Sequence, residues 1–428
     1  MSTTVKIVPV KPNQDYGSTS TRQDTSIPIS EPNSENSFTR EAHVETIGNF
    51  SLIRRVLFST KLNILLIILP FGIASHYLRL DDTIIFSLNF LAIIPLAKLL
   101  ELATEGVSRR VGQAFGGLLN ATFGNAIELI VSIIALMHGE LRIVQASLLG
   151  SIISNLLFVL GFCFVVGGRY HHIQEFEQTV AQTSSSLMAL ACIGLIIPAA
   201  FNGVINRVVG SYRSIAEIFP NSNDVFTSDQ LKTHAEFYTD KTENDPSDDI
   251  PMSLKQSIFM LAFVTLFVTF SAEYLVDSLE GLVEYSGISK TFVGFILLPI
   301  VGNAAEHVTA VSAARKNKMD LSISVAIGSS MQIALFVTPF LVLFGWVIGQ
   351  PMSLYFHTFE TVLLFISVFI TSYLIQDGKS NWLEGSMLLA TYAIISVAFF
   401  LYPDVAGPLS DDELPLPLPS LQASIISP

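Results

Sequence analysis

Charged residues are scarce in this sequence. Only 14% of its 428 residues are charged, whereas an average soluble domain carries about 25%. The remaining residues include apolar blocks of about 20 residues or more, and that length at about 1.5 Å per residue crosses the hydrocarbon core of a bilayer. The scarcity of charge therefore predicts an all-α polytopic membrane protein rather than a soluble domain.

Cysteine and paired histidines are also scarce. The two cysteines, Cys163 and Cys192, both lie in apolar blocks, so no disulfide framework is implied. No cysteine or histidine pair has ligand spacing, which argues against a zinc or copper site. The His-Glu-x-x-His pattern of an intramembrane metalloprotease is absent, so a transporter is favoured over an enzyme. The net charge of −13 is concentrated in the polar segments, which argues against nucleic-acid binding.

The apolar blocks divide the chain into two helical groups. Residues 1–51 form a polar tail that is expected to be disordered and has no signal-peptide core. An N-terminal span in 52–80 precedes a first group in 81–201, an acidic linker in 202–253, a second group in 254–402 and a tail in 403–428. Short loops make neighbouring spans antiparallel. The predicted spans cover about 62–79, 83–105, 114–138, 142–167, 180–201, 254–280, 290–314, 320–347, 353–376 and 382–402.

An internal repeat relates the two groups. The segment "AKLLELATEGV" at 97–107 aligns with "AEYLVDSLEGL" at 272–282. "GNAIE" at 124–128 aligns with "GNAAE" at 302–306, and "GS" at 150–151 aligns with "GS" at 328–329. The last two motifs are separated by 26 residues in both copies. Two copies of one helical unit are typical of transporters whose substrate site lies at the repeat interface near the midplane.

Each copy carries an acid deep inside an apolar span. A charge at the bilayer centre costs about 2.5–3.5 kcal/mol on insertion scales, yet Glu128 and Glu306 occupy equivalent places. Helical spacing puts Asn125 on the same face as Glu128, and Asn303 on the same face as Glu306. A glycine precedes each asparagine, at Gly124 and Gly302. These glycines either free backbone carbonyls to line a cavity or allow close helix packing, and both interpretations stay open.

Carboxylate, amide and carbonyl oxygens are hard ligands that suit Ca²⁺. Two carboxylates held close together repel each other without the ion, so the release of a dication would be coupled to proton uptake. His307 next to Glu306 is a candidate proton carrier or a packing partner. The helices that carry "GS" offer a second polar layer, which either completes the coordination or forms interhelical hydrogen bonds. Its candidate site-lining residues are Ser151, Ser154, Ser329 and Gln332, with Ser147, Asn155 and Ser330 nearby.

Further acids flank the repeats. We interpret them as an entry vestibule that attracts cations, with a solvated helix end as the alternative. These residues are Glu101, Glu105, Glu273, Asp277 and Glu280.

The paired motifs "GNAIELIVS" and "GNAAEHVTAV" resemble the cation/proton exchanger (CAX) branch of the calcium/cation antiporters, particularly the vacuolar exchangers of fungi. The resemblance covers about 52–402. It implies an N-terminal span, two inverted five-span halves, and Ca²⁺ transport into the vacuole in exchange for H⁺, with Glu128 and Glu306 as the metal-binding residues. It implies no cofactor beyond the transported ions. Mn²⁺ is a further candidate substrate because oxygen ligands accept both metals. Sodium-coupled relatives have a proline before the repeat acid, which neither copy has here.

One departure from this pattern concerns the first half, which has four spans where the family has five. The segment "NGVINRVVGSYRSIAEIFPN" holds the place of the fifth and is too charged to make a good span. With four spans the copies would run parallel, and Arg315-Lys316-Asn317-Lys318 would lie opposite Arg109-Arg110, against the positive-inside rule. Weak insertion, different threading or an impaired chain lacking one span would each explain this, and the impaired chain is the explanation the sequence favours. A channel is a further alternative that residues alone do not separate from an exchanger.

Overall fold

The computed structural model describes residues 54–56, 60–111, 116, 119, 120, 122–209 and 252–402. The predicted tails in 1–51 and 403–428 and residues 210–251 of the predicted linker lie outside this part. The fold below is that of the described residues.

The described chain consists of helices and one pair of short strands. The elements in chain order are α1 (Lys61–Tyr77), α2 (Asp82–Ser108), α3 (Ala126–Met137), α4 (Leu141–Tyr170), β1 (Ile173–Glu175), α5 (Gln178–Val209), α6 (Leu254–Asp277), α7 (Leu279–Ser286), α8 (Lys290–Gly302), α9 (Ala304–Arg315), α10 (Met319–Val347), α11 (Thr358–Leu374), β2 (Lys379–Asn381) and α12 (Trp382–Phe400). All-α is thus correct for the membrane part, and the strand pair is an addition at its edge.

The helices have the length and composition of membrane spans. Six in the described part are long and apolar enough to cross a bilayer alone, namely α2, α4, the part of α5 up to Ala200, α6, α10 and α12. Helices α8 and α9 pass the same test together but are bent by 57° at their junction. Helices α1, α3 and α11 are shorter apolar helices. The segments expected at 114–138 and 290–314 are therefore not straight helices, because each is interrupted at its Gly-Asn pair.

The two "GS" helices are also irregular. In α4 a π-helical turn covers Ser154–Val159, and in α10 another covers Ile333–Val337. A third π-turn, Val293–Leu297, lies in α8. Single π-turns inside α-helices frequently accompany functional sites, since the extra residue redirects side chains. The turn in α4 contains Ser154 and Asn155 of the "GS" segment, and the turn in α10 directly follows Gln332.

Contacts between loops and helix termini define two ends of the bundle. At one, β1 pairs antiparallel with β2 in the register Gln174 to Ser380, and the Gln174 side chain donates to the carbonyl of Ala314 at 2.9 Å. We call this the Arg315 end. At the other, Arg142 forms a bidentate ion pair with the buried Glu360. We call this the Arg142 end.

The repeat-matched helices α2 and α6 run in opposite directions. Near the start of α2, Asp82 packs against Gly281, which follows the end of α6. Near the other terminus of α2, Gly106 packs against Ser257 in the first turn of α6. Helix α6 therefore starts at the Arg315 end. Helix α5 also starts at that end, after β1, so its last residues lie toward the Arg142 end. The two described residues that flank 210–251, Val209 and Met252, consequently lie toward opposite ends.

Basic side chains are unequally shared between the ends. Those at the Arg142 end, such as Arg142 and Lys290, form ion pairs with acids. The Arg315 end carries most of the described lysines and arginines, and the turn after α9 is at the same end as the one after α2. These residues are Lys61, Arg109, Arg110, Arg169, Lys255, Arg315, Lys316, Lys318 and Lys379. Positive-inside bias therefore favours a cytosolic Arg315 end.

Candidate cation site

Both Gly-Asn pairs interrupt a helix and place an acid in the first turn of the next one. Helix α3 starts at Ala126 with Asn125 as N-cap, and Glu128 lies in its first turn. Helix α8 ends at Gly302, Asn303 is the junction, and Glu306 lies in the first turn of α9. The N-terminal turn of a helix carries partial positive charge from its free N–H groups, so it stabilises a carboxylate. The repeat thus offsets part of the cost of an intramembrane acid.

The two acids come together from the two halves. Glu128 Oε1 is 2.7 Å from the point where a Cβ atom on Gly302 would lie. Glu306 lies within electrostatic range of Glu128, and Glu101 is a further acid near it. The absence of a side chain at Gly302 therefore lets the Glu128 carboxylate of the first half approach the backbone of the second half closely. At Gly124 a Cβ atom would instead meet the Asn120 carbonyl oxygen at 2.5 Å, within its own turn.

Amides and hydroxyls of the "GS" helices form the predicted polar layer on the Asn125 side. Asn125 Nδ2 donates to Gln332 Oε1 at 2.7 Å, and Ser329 Oγ donates to Asn125 Oδ1 at 3.0 Å. Asn155 Nδ2 donates to Ser329 Oγ at 3.1 Å. Ser329 also lies beside Glu306. Of the predicted lining residues, Gln332 therefore contacts Asn125, and Ser329 contacts Asn125 and lies beside Glu306.

Several buried polar atoms of the site have no hydrogen-bond partner within the described part of the chain. They include Glu128 Oε1, Glu306 Oε2 and both side-chain polar atoms of Asn303. A buried polar atom without a partner costs about 1–3 kcal/mol, so a cluster of such oxygens is stabilised by a bound cation, protons or water. Carboxylate and amide oxygens from two halves fit a hard dication. This arrangement can bind a dication when the acids are ionised and protons when they are not.

The remaining predicted lining residues are Ser151, Ser154 and His307. Ser151 and Ser154 are buried, and Ser154 Oγ is unpartnered within the described residues. His307 stands next to Glu306 and makes an edge contact with Phe158, with ring centroids 5.6 Å apart. Its Nε2 atom is also buried without a partner in the described chain. Packing against Phe158 is thus what the structure assigns to His307.

The predicted vestibule acids do not form one group. Glu101 and Glu105 lie toward the Arg315 end, because α2 runs to that end, whereas Glu273, Asp277 and Glu280 lie at the Arg142 end. Each has a basic partner rather than standing free. Lys98 pairs with Glu101, Arg109 with Glu105, His138 with Glu273, His76 with Asp277 and Lys290 with Glu280. The five acids therefore lie at two ends of the bundle rather than in one group, and the contacts of His76 and His138 are ion pairs only when the histidine is protonated.

Sequence reasoning missed Lys98. This lysine is the second residue of the repeat segment at 97–107, and a basic residue inside an apolar span is a signal as clear as the acids. Lys98 Nζ donates to Glu101 Oε2 at 2.9 Å and to Thr309 Oγ1 at 3.1 Å. Thr309 lies one helical turn beyond Glu306. The lysine therefore belongs to the surroundings of the carboxylate pair.

Comparison with known proteins places the chain in a family. Residues 82–213 and 256–401 match the family described as "Sodium/calcium exchanger protein". A protein of Schizosaccharomyces pombe named "Vacuolar calcium ion transporter" is 49% identical over 82% of this chain and 87% of its own length. A protein of Aphanothece halophytica named "Ca(2+)/H(+) antiporter" is 44% identical over 80% of this chain and 96% of its own.

Solved structures agree with the fold. The structure of native YfkE superposes with a TM-score of 0.69 at 36% identity, covering 80% of this chain and all of that one. A structure described as "H+/Ca2+ Exchanger CAX" superposes with a TM-score of 0.61 at 14% identity, covering 82% and 92% of the two chains, which supports the fold alone. Together with the matched repeats, these likenesses show that the chain belongs to the sodium/calcium exchanger protein family.

Proposed function

We propose that this protein is a secondary antiporter that exchanges Ca²⁺ for H⁺. The observation that carries the proposal is the meeting of Glu128 and Glu306 from the two halves, with buried oxygens that lack partners in the described chain. Relatives named as a vacuolar calcium ion transporter and as a Ca²⁺/H⁺ antiporter support it. The transported ions are substrates, and the proposal requires no other cofactor.

In this mechanism the two carboxylates alternate between two occupants. With Ca²⁺ bound, both are ionised and the dication offsets their mutual repulsion. When the ion leaves, repulsion between the acids and their distance from water favour protonation. One dication and protons therefore compete for the same two groups, and this competition couples the two fluxes.

The roles of the neighbouring residues follow from their contacts. Asn303 is proposed as a further oxygen ligand, because its amide is buried and unpartnered among the described residues. Asn125, Ser329 and Gln332 hold the first-half turn against α10, so they position Glu128 rather than bind the ion. Mn²⁺ is a second candidate substrate, since the same oxygens accept it.

We place the protein in the vacuolar membrane with the Arg315 end in the cytosol. The fungal relative's name and the basic residues at that end support this placement. We further propose that the halves are inverted copies. The opposite directions of α2 and α6 support this arrangement, and they disfavour parallel copies built from four and five spans. Glycosylation tags test it: tags between 315 and 319 or 375 and 379 should stay unmodified, whereas tags between 286 and 290 should be modified. Modification of the 315–319 tag would overturn the orientation.

Vesicle uptake tests the function. Purified protein in liposomes with an acidic interior should accumulate Ca²⁺ against its gradient, and a protonophore should abolish the accumulation. A channel would let Ca²⁺ equilibrate without accumulating it, and uptake driven by an imposed sodium gradient would indicate a sodium-coupled exchanger. No Ca²⁺ movement under any gradient would favour the impaired chain.

A further inference from the structure

Lys98 and two partners form a closed triangle between α2 and α9. Lys98 Nζ donates to Glu101 Oε2 and to Thr309 Oγ1, at 2.9 and 3.1 Å. Thr309 Oγ1 donates in turn to Glu101 Oε1 at 3.0 Å. Every pair in the triangle is thus in direct contact, and the ammonium group is held by a carboxylate oxygen and a hydroxyl oxygen.

The triangle lies between the carboxylate pair and the Arg315 end. Thr309 follows Glu306 on α9, and α9 continues to Arg315. Glu101 follows Lys98 on α2, and α2 continues to Arg109 at the same end. Glu101 lies within electrostatic range of Glu306. A cation that moves from this end to Glu306 between α2 and α9 therefore passes these three side chains.

The triangle is not fully enclosed by the protein. The Lys98 and Glu101 side chains are 24% and 33% exposed, so the described chain leaves part of both charged groups uncovered. The two oxygens that hold the ammonium, one from a carboxylate and one from a hydroxyl, are of the hard type that a dication accepts as ligands. The ammonium thus holds a position in which a dication would be stabilised by the same oxygens.

We propose that Glu101 and Thr309 form an access site for the dication and that Lys98 is its built-in competitor. This inference rests on the proposed antiport function. The dication displaces the ammonium from Glu101 before it reaches Glu128 and Glu306, and the ammonium returns after the dication has passed. Lys98 therefore raises the concentration of Ca²⁺ needed for uptake from the Arg315 end. It is a specificity-determining residue that the carboxylate pair alone does not provide.

The test compares Lys98→Gln with Lys98→Arg and Glu101→Gln. Uptake into liposomes gives KM for Ca²⁺, and thermal stabilisation by Ca²⁺ in detergent measures binding. Lys98→Gln should lower KM for Ca²⁺ roughly three- to tenfold at low salt, and added salt should shrink the difference because it screens charges. Lys98→Arg should stay near the wild type. Glu101→Gln should raise KM, and the double variant Lys98→Gln/Glu101→Gln should return toward the wild-type value.

A matched control exists at the same end. Lys379 pairs with Glu175 at 3.2 Å on the strand pair, far from the carboxylates, and both side chains are more than half exposed. Lys379→Gln removes the same charge from a similar pair and should leave KM unchanged. An equal decrease in KM for Lys379→Gln would overturn the proposal in favour of a general surface-charge effect.

A purely structural role for the triangle gives a different pattern. If Lys98 only ties α2 to α9, both single variants and the double variant will lower the unfolding temperature and the uptake rate, with no decrease in KM. Ca²⁺-dependent thermal stabilisation in detergent provides a second measurement that does not need transport. The Ca²⁺ concentration for half-maximal stabilisation should fall in Lys98→Gln by the same factor as KM. A wild type that is stabilised by Ca²⁺ but shows no proton-driven uptake would refute the antiport function while still testing Lys98.

Discussion

The two repeat-related asparagines have the same motif and different surroundings. Asn125 is fully engaged, with its amide nitrogen on Gln332 and its oxygen on Ser329. Asn303 is equally buried, yet neither of its polar atoms has a partner in the described chain. Repetition of the sequence therefore conserves the break in the helix and the place of the acid. It does not conserve the hydrogen bonds, because Gln332 is replaced by Ser154 at the aligned position, and Ser151, which aligns with Ser329, makes no hydrogen bond to Asn303.

We propose that this difference gives the two halves separate roles. The Asn125 turn is tied to α10 and so fixes Glu128 in space. The Asn303 turn keeps its amide available, and Gly302 leaves room for the Glu128 carboxylate. We therefore expect substitutions on the Asn303 side to change ion binding and those on the Asn125 side to change stability. The following predictions sharpen or break this expectation.

The largest effect is expected at the acids, where the halves should behave alike. Glu128→Gln and Glu306→Gln should each abolish proton-driven Ca²⁺ uptake, because one carboxylate neither balances a dication nor exchanges it for protons. The measurement is uptake in liposomes with equal amounts of folded protein, checked by gel filtration. Wild-type uptake in either variant would refute the site.

Alanine substitutions at Gly302 and Gly124 should have different effects in the two halves. Gly302→Ala places a methyl group against Glu128 Oε1, so it should lower uptake by about tenfold or more through a displaced ligand, since about 1.4 kcal/mol of lost binding is tenfold. Its thermal unfolding should stay close to the wild type, because a flexible side chain moves aside. Gly124→Ala meets the rigid Asn120 carbonyl and should lower the unfolding temperature as well. Equal loss of stability in both variants would contradict this account.

Alanine at the two asparagines should give the smaller effect. Asn303→Ala removes a proposed ligand and should raise KM for Ca²⁺ roughly tenfold without loss of stability. Asn125→Ala removes the donor to Gln332 Oε1 and the Asn125 acceptor of Ser329 Oγ, and it should cost about 1–3 kcal/mol of stability. Uptake and thermal unfolding measured on both variants decide between the two roles. A stability loss in Asn303→Ala with unchanged KM would reverse the assignment.

A site residue could be predicted from the sequence when its signal is local, and not when its role depends on contacts with distant parts of the chain. The acids and their glycines were found from sequence, because a charge in an apolar run and its exact repetition are local signals. The interruption at Gly-Asn was also expected as one of two readings of those glycines. The partners of Asn125 come from residues more than 200 positions away, and no local pattern distinguishes it from Asn303.

For the vestibule acids, the sequence pattern predicted free charges where the structure shows partners. Glu273, Asp277 and Glu280 share one helical stripe, and the stripe alone suggests free negative charge. Their partners His76, His138 and Lys290 lie on other segments of the chain. Helix direction also has to be known before Glu101 can be separated from Glu273, since α2 and α6 carry matched sequences to opposite ends. Charge patterns along one helix therefore identify acids but do not say which of them remain unpaired.

The short strand pair at the Arg315 end joins helix termini that are far apart in the sequence. β1 precedes α5 and β2 precedes α12. The Gln174 side chain also donates hydrogen bonds to the Ala314 carbonyl and to Asn317 Oδ1, near the end of α9. Backbone hydrogen bonds tolerate little stretching, so the start of α5, the start of α12 and the end of α9 are fastened together. Separating these three helix termini would require breaking the strand pairing or the Gln174 hydrogen bonds.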